Sequence, residues 1–187
     1  MEHCIISLLG EDSPGVMHAA ATALTELGCN IEEVSQTILQ GQYAALIIAA
    51  MPETCDRSMV KAGLERSLTA HCAHVTVRPF APCEGEFRSV PAPADCEPFV
   101  VTLHGPDRTG MIAAITGVMA EHKVNIATLK AVFQDEDPDQ VVIMFEVALP
   151  AVVNREDFRA GLNKVADSLQ MRVSLQHRRI FEAVNRI

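Results

Sequence analysis

The stretches Gly10-Glu11-Asp12-Ser13-Pro14-Gly15 and Gly105-Pro106-Asp107-Arg108-Thr109-Gly110 are one turn written twice, and they decide how the rest of the chain is read. Each follows a short apolar run, CIISLL at residues 4–9 and FVVTL at residues 99–103. Each precedes apolar residues at steps of three and four, Met17, Ala20 and Leu24 in one case and Ile112, Ile115 and Met119 in the other, the stripe of an amphipathic helix. The same offset of 95 residues sets Asn30-Ile31 on Asn125-Ile126. By Pro52 and Pro150 the offset has grown to 98, because the connection DEDPD in the second copy is three residues longer than its counterpart, a change that a hairpin tolerates. An internal duplication therefore sets the domain count before any single residue is weighed.

Local signals fill in each copy. Ser13 reads as the cap of the first helix, with Pro14 at its opening position, where a missing amide is harmless. Gly28 stops that helix, and Lys123 stands in the same place in the second copy as a cation suited to a helix C-terminus. Two strands follow, 30–39 and 42–50, joined by a tight turn at Gln40-Gly41; their equivalents are 125–134 and 140–149. A second helix is expected over 56–69 and over 155–169, then a last strand over 73–79 and over 171–176. The order strand, helix, strand, strand, helix, strand is the α+β, ferredoxin-like βαββαβ arrangement, two helices covering one face of an antiparallel sheet. Residues 1–80 are read as the first domain, 81–97 as a proline-rich, acidic linker, and 98–187 as the second domain with a tail (HRRIFEAVNRI) suited to a short helix. Units this small bury only about 60% of their unfolded surface, so the copies are expected to pair side by side.

Composition narrows the function classes. The net charge of −9 falls as −5 on residues 1–79 (9 acids, 4 bases), −3 on 80–97 (4 acids, 1 base) and −1 on 98–187 (11 acids, 10 bases). No basic stripe results, and phosphate neutralisation supplies most non-specific nucleic-acid affinity, so direct DNA or RNA binding is not expected. No apolar run nears the roughly 20 residues that span a bilayer, and MEHCIISLLG lacks the basic region of a signal peptide. Cytoplasmic location follows, with Cys4, Cys29, Cys55, Cys72, Cys83 and Cys96 as reduced thiols.

Catalysis finds little support. His71-Cys72-Ala73-His74 comes nearest to metal-ligand spacing but lacks a second pair, and Cys83 and Cys96 form no Cys-x-x-Cys. Glu32 and Glu33, adjacent in a strand, point to opposite faces. No cofactor, metal or catalytic residue is expected. The repeated turn is the better candidate: at the end of a strand and the start of a helix, unpaired amides suit a carboxylate, glycines allow close approach, and Asn30 and Asn125 can both donate and accept. Taken singly, each residue serves equally well as turn or cap; their joint recurrence favours a small zwitterionic ligand.

The pattern Gly-x-Asp-x-x-Gly, amphipathic helix, Asn-Ile within a βαββαβ unit resembles the ACT domain, a regulatory module that binds amino acids. Two copies in one chain resemble most the glycine cleavage system transcriptional repressor group. The resemblance implies modules joined side by side into an eight-stranded sheet, with a small amino acid such as glycine or serine at the interface near the first loop. It implies ligand-facing roles for Gly10, Asp12, Ser13, Gly15, Asn30 and Ile31, and for Gly105, Asp107, Thr109, Gly110, Asn125 and Ile126. A basic residue is common in the family where Ser13 and Arg108 stand, so the two loops need not be equally competent. It further implies a non-enzymatic regulator of glycine cleavage genes; the acidic balance and the lack of a helix-turn-helix suggest that it acts by holding a DNA-binding activator, and the sheet edges left exposed by a two-domain pair favour a homodimer. The alternative is an architectural ACT module that regulates a metabolic enzyme without a ligand of its own.

Overall fold

The computed structural model describes residues 2–71, 73–81, 95–134 and 137–184, and the chain divides into two compact units. Most of the expected linker (82–94), Cys72, residues 135–136 and the last three residues of the tail lie outside the described residues. The first unit runs β1 (Glu2–Glu11), α1 (Val16–Glu26), β2 (Asn30–Leu39), β3 (Gln42–Met51), α2 (Arg57–Ser67), a single 3-10 turn at Thr69–His71, and β4 (His74–Phe80). The second runs β5 (Cys96–Pro106), α3 (Met111–Glu121), β6 (Asn125–Gln134), β7 (Asp137–Pro150), α4 (Arg155–Ser168), β8 (Arg172–His177) and a tail helix, α5 (Arg178–Val184). Strand order is β2-β3-β1-β4 in one sheet and β6-β7-β5-β8 in the other, every pairing antiparallel, as the ferredoxin-like reading requires.

One face of each sheet is covered by its two helices. Along β1, Cys4, Ile6 and Leu8 alternate inward, and on β3 Tyr43, Ala45, Ile47 and Ala49 do the same. Val16, Ala20, Ala23 and Leu24 of α1 close on them, and Met111, Ile115, Val118 and Met119 of α3 repeat that stripe 95 residues later. The stripes start one residue earlier than the sequence suggested, so Met17 is only half-buried and Ile112 is exposed. Each wholly buried Leu or Ile in such a core contributes about 1.5–3 kcal/mol.

Turn chemistry explains the joints. Gln40 (φ 51) and Gly41 (φ 74) are both left-handed, the geometry of a type I′ hairpin. At the end of α1, Gly28 takes φ 72 and the Cys29 amide reaches back to the Leu24 carbonyl at 2.9 Å, a Schellman-type closure. Lys123 adopts the same left-handed conformation (φ 55), with Val124 bonded to Met119 at 2.8 Å. Its role is thus conformational, where the sequence suggested a cation at the helix end. Both second strands carry a bulge at the same place, between Ile31 and Glu33 and between Ile126 and Thr128. The bulge breaks strict alternation, so Glu32 turns to the face bearing His3 and meets its Nε2 at 3.2 Å; the opposite-face reading of Glu32-Glu33 fails there.

The face without helices differs between the units. In the second, α5 lies against β5 and β8, Arg178 reaches Glu146 at 3.7 Å, and Val100 on that face is buried outside the core. In the first, Ile5, Leu9, Leu46 and Ile48 share that face, with Leu9 and Leu46 exposed.

The second helices are capped by different chemistry. Asp56 Oδ1 accepts from the Met59 amide at 2.8 Å, and Asn154 Oδ1 accepts from the Glu156 amide at 2.9 Å. The Ser58 hydroxyl, and after it the Met59 amide, hold the Asp56 carboxyl below the usual carboxylate range. A depressed folded-state pKa adds stability that is fully present above about pH 4 and fades as pH falls through the lowered value. Asp56→Ala should therefore lower the urea midpoint at pH 7 and converge on wild type in acid, whereas the Asn154→Ala deficit should persist; circular dichroism against urea at both pH values checks this.

Candidate functional site

Both repeated turns deliver the chain into a helix without help from a side chain. Gly15 (φ 96) and Gly110 (φ 90) occupy the position before the first helical residue in the left-handed region, and no side chain caps α1 or α3. The capping role expected for Ser13 is thereby corrected: the helix begins two residues after Pro14, at Val16, beyond reach of a standard Ser13 cap. First-turn amides lacking a side-chain acceptor carry the partial positive charge of the helix start. The Asp12 amide is already engaged, donating to Gly41 O at 2.8 Å, and Asp107 repeats this with Asp139 O at 2.8 Å. Each loop is thus tied to the neighbouring hairpin by backbone alone, leaving the exposed Asp12 and Asp107 carboxylates facing solvent.

The residue after each aspartate reaches elsewhere. Ser13 Oγ lies 2.7 Å from His71 Nδ1, while Arg108 Nη2 donates to Gln170 Oε1. In both units the loop is clamped to the connection between the second helix and the last strand, by a hydroxyl and an imidazole in one and by a guanidinium and an amide in the other. His71 and Gln170 did not emerge as loop partners from the sequence, since each lies about 60 residues away and no local pattern marks it. Beneath the first loop, the Tyr43 hydroxyl donates to Gln36 Oε1 at 3.2 Å, with Met17 Sδ 3.6 Å away as a weaker alternative acceptor; burial first, then the nearby Asp12 charge, pushes its phenol up. The second unit has Val141 at the corresponding place, opposite Gly105 as Tyr43 is opposite Gly10.

The expected residues do not meet within one unit. Gly10 pairs with Tyr43, at one end of β3, whereas Asn30 pairs with Ala50, seven residues along. Gly105 with Val141 and Asn125 with Ala148 repeat the spacing. At about 3.3 Å per residue, the loop and the asparagine stand roughly 23 Å apart, at opposite ends of the same sheet. Gly10, Asp12, Ser13 and Gly15 form one group, as do Gly105, Asp107, Thr109 and Gly110; Asn30 and Asn125 are exposed at the far ends. Ile31 and Ile126 are half-buried against the cores. β2 and β6 are edge strands with exposed Val34, Ile38 and Leu39, and exposed Leu129 and Val132.

Among the described residues, no group of three His, Cys, Asp or Glu side chains could hold a metal ion, and no helix is long and apolar enough to cross a membrane.

A family model for the ACT domain matches residues 2–78 and, again, residues 97–176. A UPF0237 protein of Methanopyrus kandleri is 32% identical over 95 residues, 47% of this chain and 96% of that protein. One from Methanocaldococcus jannaschii is 31% identical over 88 residues, 47% of this chain and 96% of its own length. These relatives are one module long. Among solved structures, an unknown protein from Galdieria sulphuraria superimposes with TM-score 0.73 at 20% identity, covering 94% of this chain and 98% of that one. A protein provisionally assigned as a glycine cleavage system transcriptional repressor does so with TM-score 0.65 at 17% identity, covering 94% and 96%. At such identities the likeness is one of fold.

The loop glycines are not equivalent in what they tolerate. A Cβ on Gly110 meets nothing within 4 Å, so Gly110→Ala should cost only the left-handed strain, about 1–2 kcal/mol. On Gly105 (φ 156) a Cβ would sit 3.0 Å from Met171 Cα, so Gly105→Ala should cost more, about 3 kcal/mol. Urea titration of both variants would show the order.

Proposed function

The chain belongs to the ACT domain family, and from that premise we propose that it is a non-enzymatic regulator that binds a small amino acid, glycine or serine in kind, at seams between modules. The observation that supports this most is the pair of helix starts. In both copies a left-handed glycine replaces a side-chain cap; the Val16 and Met111 amides turn back to the Ser13 and Arg108 carbonyls at 3.4 and 3.3 Å, and the next amides of each first turn have no side-chain acceptor, a place suited to a carboxylate. The roughly 23 Å between loop and asparagine within one module then becomes an argument for a shared site. Two β2-type edges meeting antiparallel set the start of one strand beside the end of the other. That end is the loop end, because Ile38 pairs with Tyr43 and Tyr43 with Gly10. Asn30 or Asn125 of one module would then face the loop of its neighbour: Gly10, Asp12, Ser13 and Gly15, or Gly105, Asp107, Thr109 and Gly110. The ammonium group would meet Asp12 or Asp107, and the carboxylate the open amides.

The exposed apolar residues on β2 and β6 suit such edge-to-edge joining, including that of a homodimer. The regulated partner in this reading is a DNA-binding activator in the cytoplasm, held by protein contact and released when ligand favours the free form. The net charge of −9 supports contact with a protein over contact with DNA.

Isothermal titration against glycine, serine and the remaining amino acids tests this. Saturable binding is expected for at least one, weakened roughly tenfold by Asn30→Ala or Asn125→Ala, the scale of one lost hydrogen bond. No heat from any amino acid would leave the chain an architectural module.

A further inference from the structure

Three free thiols, Cys4, Cys29 and Cys55, are buried together in the first core. β1, the turn entering β2 and the turn before α2 bring them to the sheet end that also carries Asn30. The second unit supplies an internal control. Cys4 sits opposite Ala49 as Phe99 sits opposite Val147. The Cys29 amide bonds to Leu24 O as that of Val124 bonds to Met119 O, and Cys55 bonds to Pro52 O at 3.0 Å as Val153 bonds to Pro150 O at 3.0 Å. The same three places are therefore filled by Phe, Val and Val in one copy and by three thiols in the other. A single buried cysteine is an ordinary small hydrophobe. Three gathered at one end of one core, where the same backbone also packs with hydrocarbon, are not demanded by packing.

Two of the three are suited to each other. The turns that carry Cys29 and Cys55 touch, since a Cβ on Gly28 would lie 3.5 Å from the Pro52 ring, and both thiols retain slight solvent contact (7% and 9% exposed), whereas Cys4 has none. We propose that Cys29 and Cys55 are a modification site, a thiol pair that a peroxide converts to an intramolecular disulfide tying the turn before β2 to the turn before α2. A thiolate attacks the peroxide, forming an S–O bond and breaking O–O, and the expelled hydroxide leaves as water. The second sulfur then displaces hydroxide from the sulfenic acid, forming S–S and a second water: two thiols oxidised by two electrons, one peroxide reduced. The product is neutral, so this apolar place accepts it without burying charge. Burial, and next the neighbouring Cys55, pushes the Cys29 thiol up to about 12. A high thiol pKa makes the reaction slow at neutral pH and faster as pH rises.

The test treats the folded full chain with hydrogen peroxide, blocks the remaining thiols in urea, and cleaves after glutamate. Cuts after Glu26, Glu32 and Glu53 place Cys4, Cys29 and Cys55 on separate peptides. The expected product joins the Cys29 and Cys55 peptides with loss of two hydrogens, at least tenfold over any other bridge. It forms faster at pH 9 than at pH 7 and disappears with dithiothreitol. It is abolished in Cys29→Val and in Cys55→Val, which take the second copy's residue and should stay folded, and kept in Cys4→Ala. Full alkylation of Cys29 and Cys55 after treatment of a chain that circular dichroism shows folded, or bridges favouring other cysteines, would overturn the proposal. The result stands or falls independently of amino-acid binding.

Discussion

Each unit of about 80 residues can cover only one face of its sheet, and most of what is distinctive in this chain follows from that constraint. Two helices per module suffice to bury Cys4, Ile6, Leu8 and their counterparts on the central strands, and nothing in the βαββαβ order supplies a second layer. The uncovered face and the outer strands must then be managed by other means. In the second unit α5 folds against the sheet with Arg178 paired to Glu146; in the first, the His3–Glu32 pair bridges β1 and β2 at the end where Ala50 lies between them. The edges β2 and β6 keep apolar side chains in the open, which isolated sheets avoid because unpaired edges invite strand addition. A module made this way is suited to joining with another.

Against this shared frame, the two copies differ at a few chemically pointed places. The backbone events repeat to within a few tenths of an ångström: the aspartate amide to the hairpin carbonyl, the left-handed glycine, the six-residue closure of the first helix, the bulge after Asn-Ile. Side chains diverge where they touch the loop or its surroundings. Ser13 and His71 stand against Arg108 and Gln170, and Tyr43 stands against Val141. A guanidinium at a helix start adds a fixed positive charge to the open amides, whereas an imidazole carries charge only when protonated. The two loops therefore differ in electrostatic field while holding the same shape.

The sequence carried the fold well because its signals were local and doubled. Gln40-Gly41 admits little but a tight hairpin, and the offset of 95 residues aligned strands, helices and stop positions at once. It failed where a local pattern had two solutions. Ser13-Pro14 has the appearance of a cap and first helical residue, yet the copy carries Arg108-Thr109 there, and of the three residues before each helix only the glycine is common to both. That glycine, with its access to positive φ, is the device the two copies share. The clamps to His71 and Gln170 were illegible because their partners are distant in sequence, and the bulge was illegible because alternation assumes a regular strand. The candidate residues could be named from the sequence but not placed: one-dimensional spacing cannot show that α1 carries the chain back along the sheet, so that Asn30 begins where β1 began.

That return path has a consequence for how such a protein can act. If the loop and the asparagine had met within one module, ligand binding could be complete without any neighbour, and nothing would couple it to assembly. Because they are roughly 23 Å apart, a zwitterion small enough to be glycine cannot touch both in a single unit. In the proposed reading only a joined pair offers the full set of partners, so a ligand would bind the joined arrangement more tightly than the separated one. By linkage it would then stabilise that arrangement, by about 2.7 kcal/mol at a concentration of one hundred times its Kd. In the proposed reading, sensing and assembly are one equilibrium, and a partner protein needs only to distinguish joined modules from loosened ones.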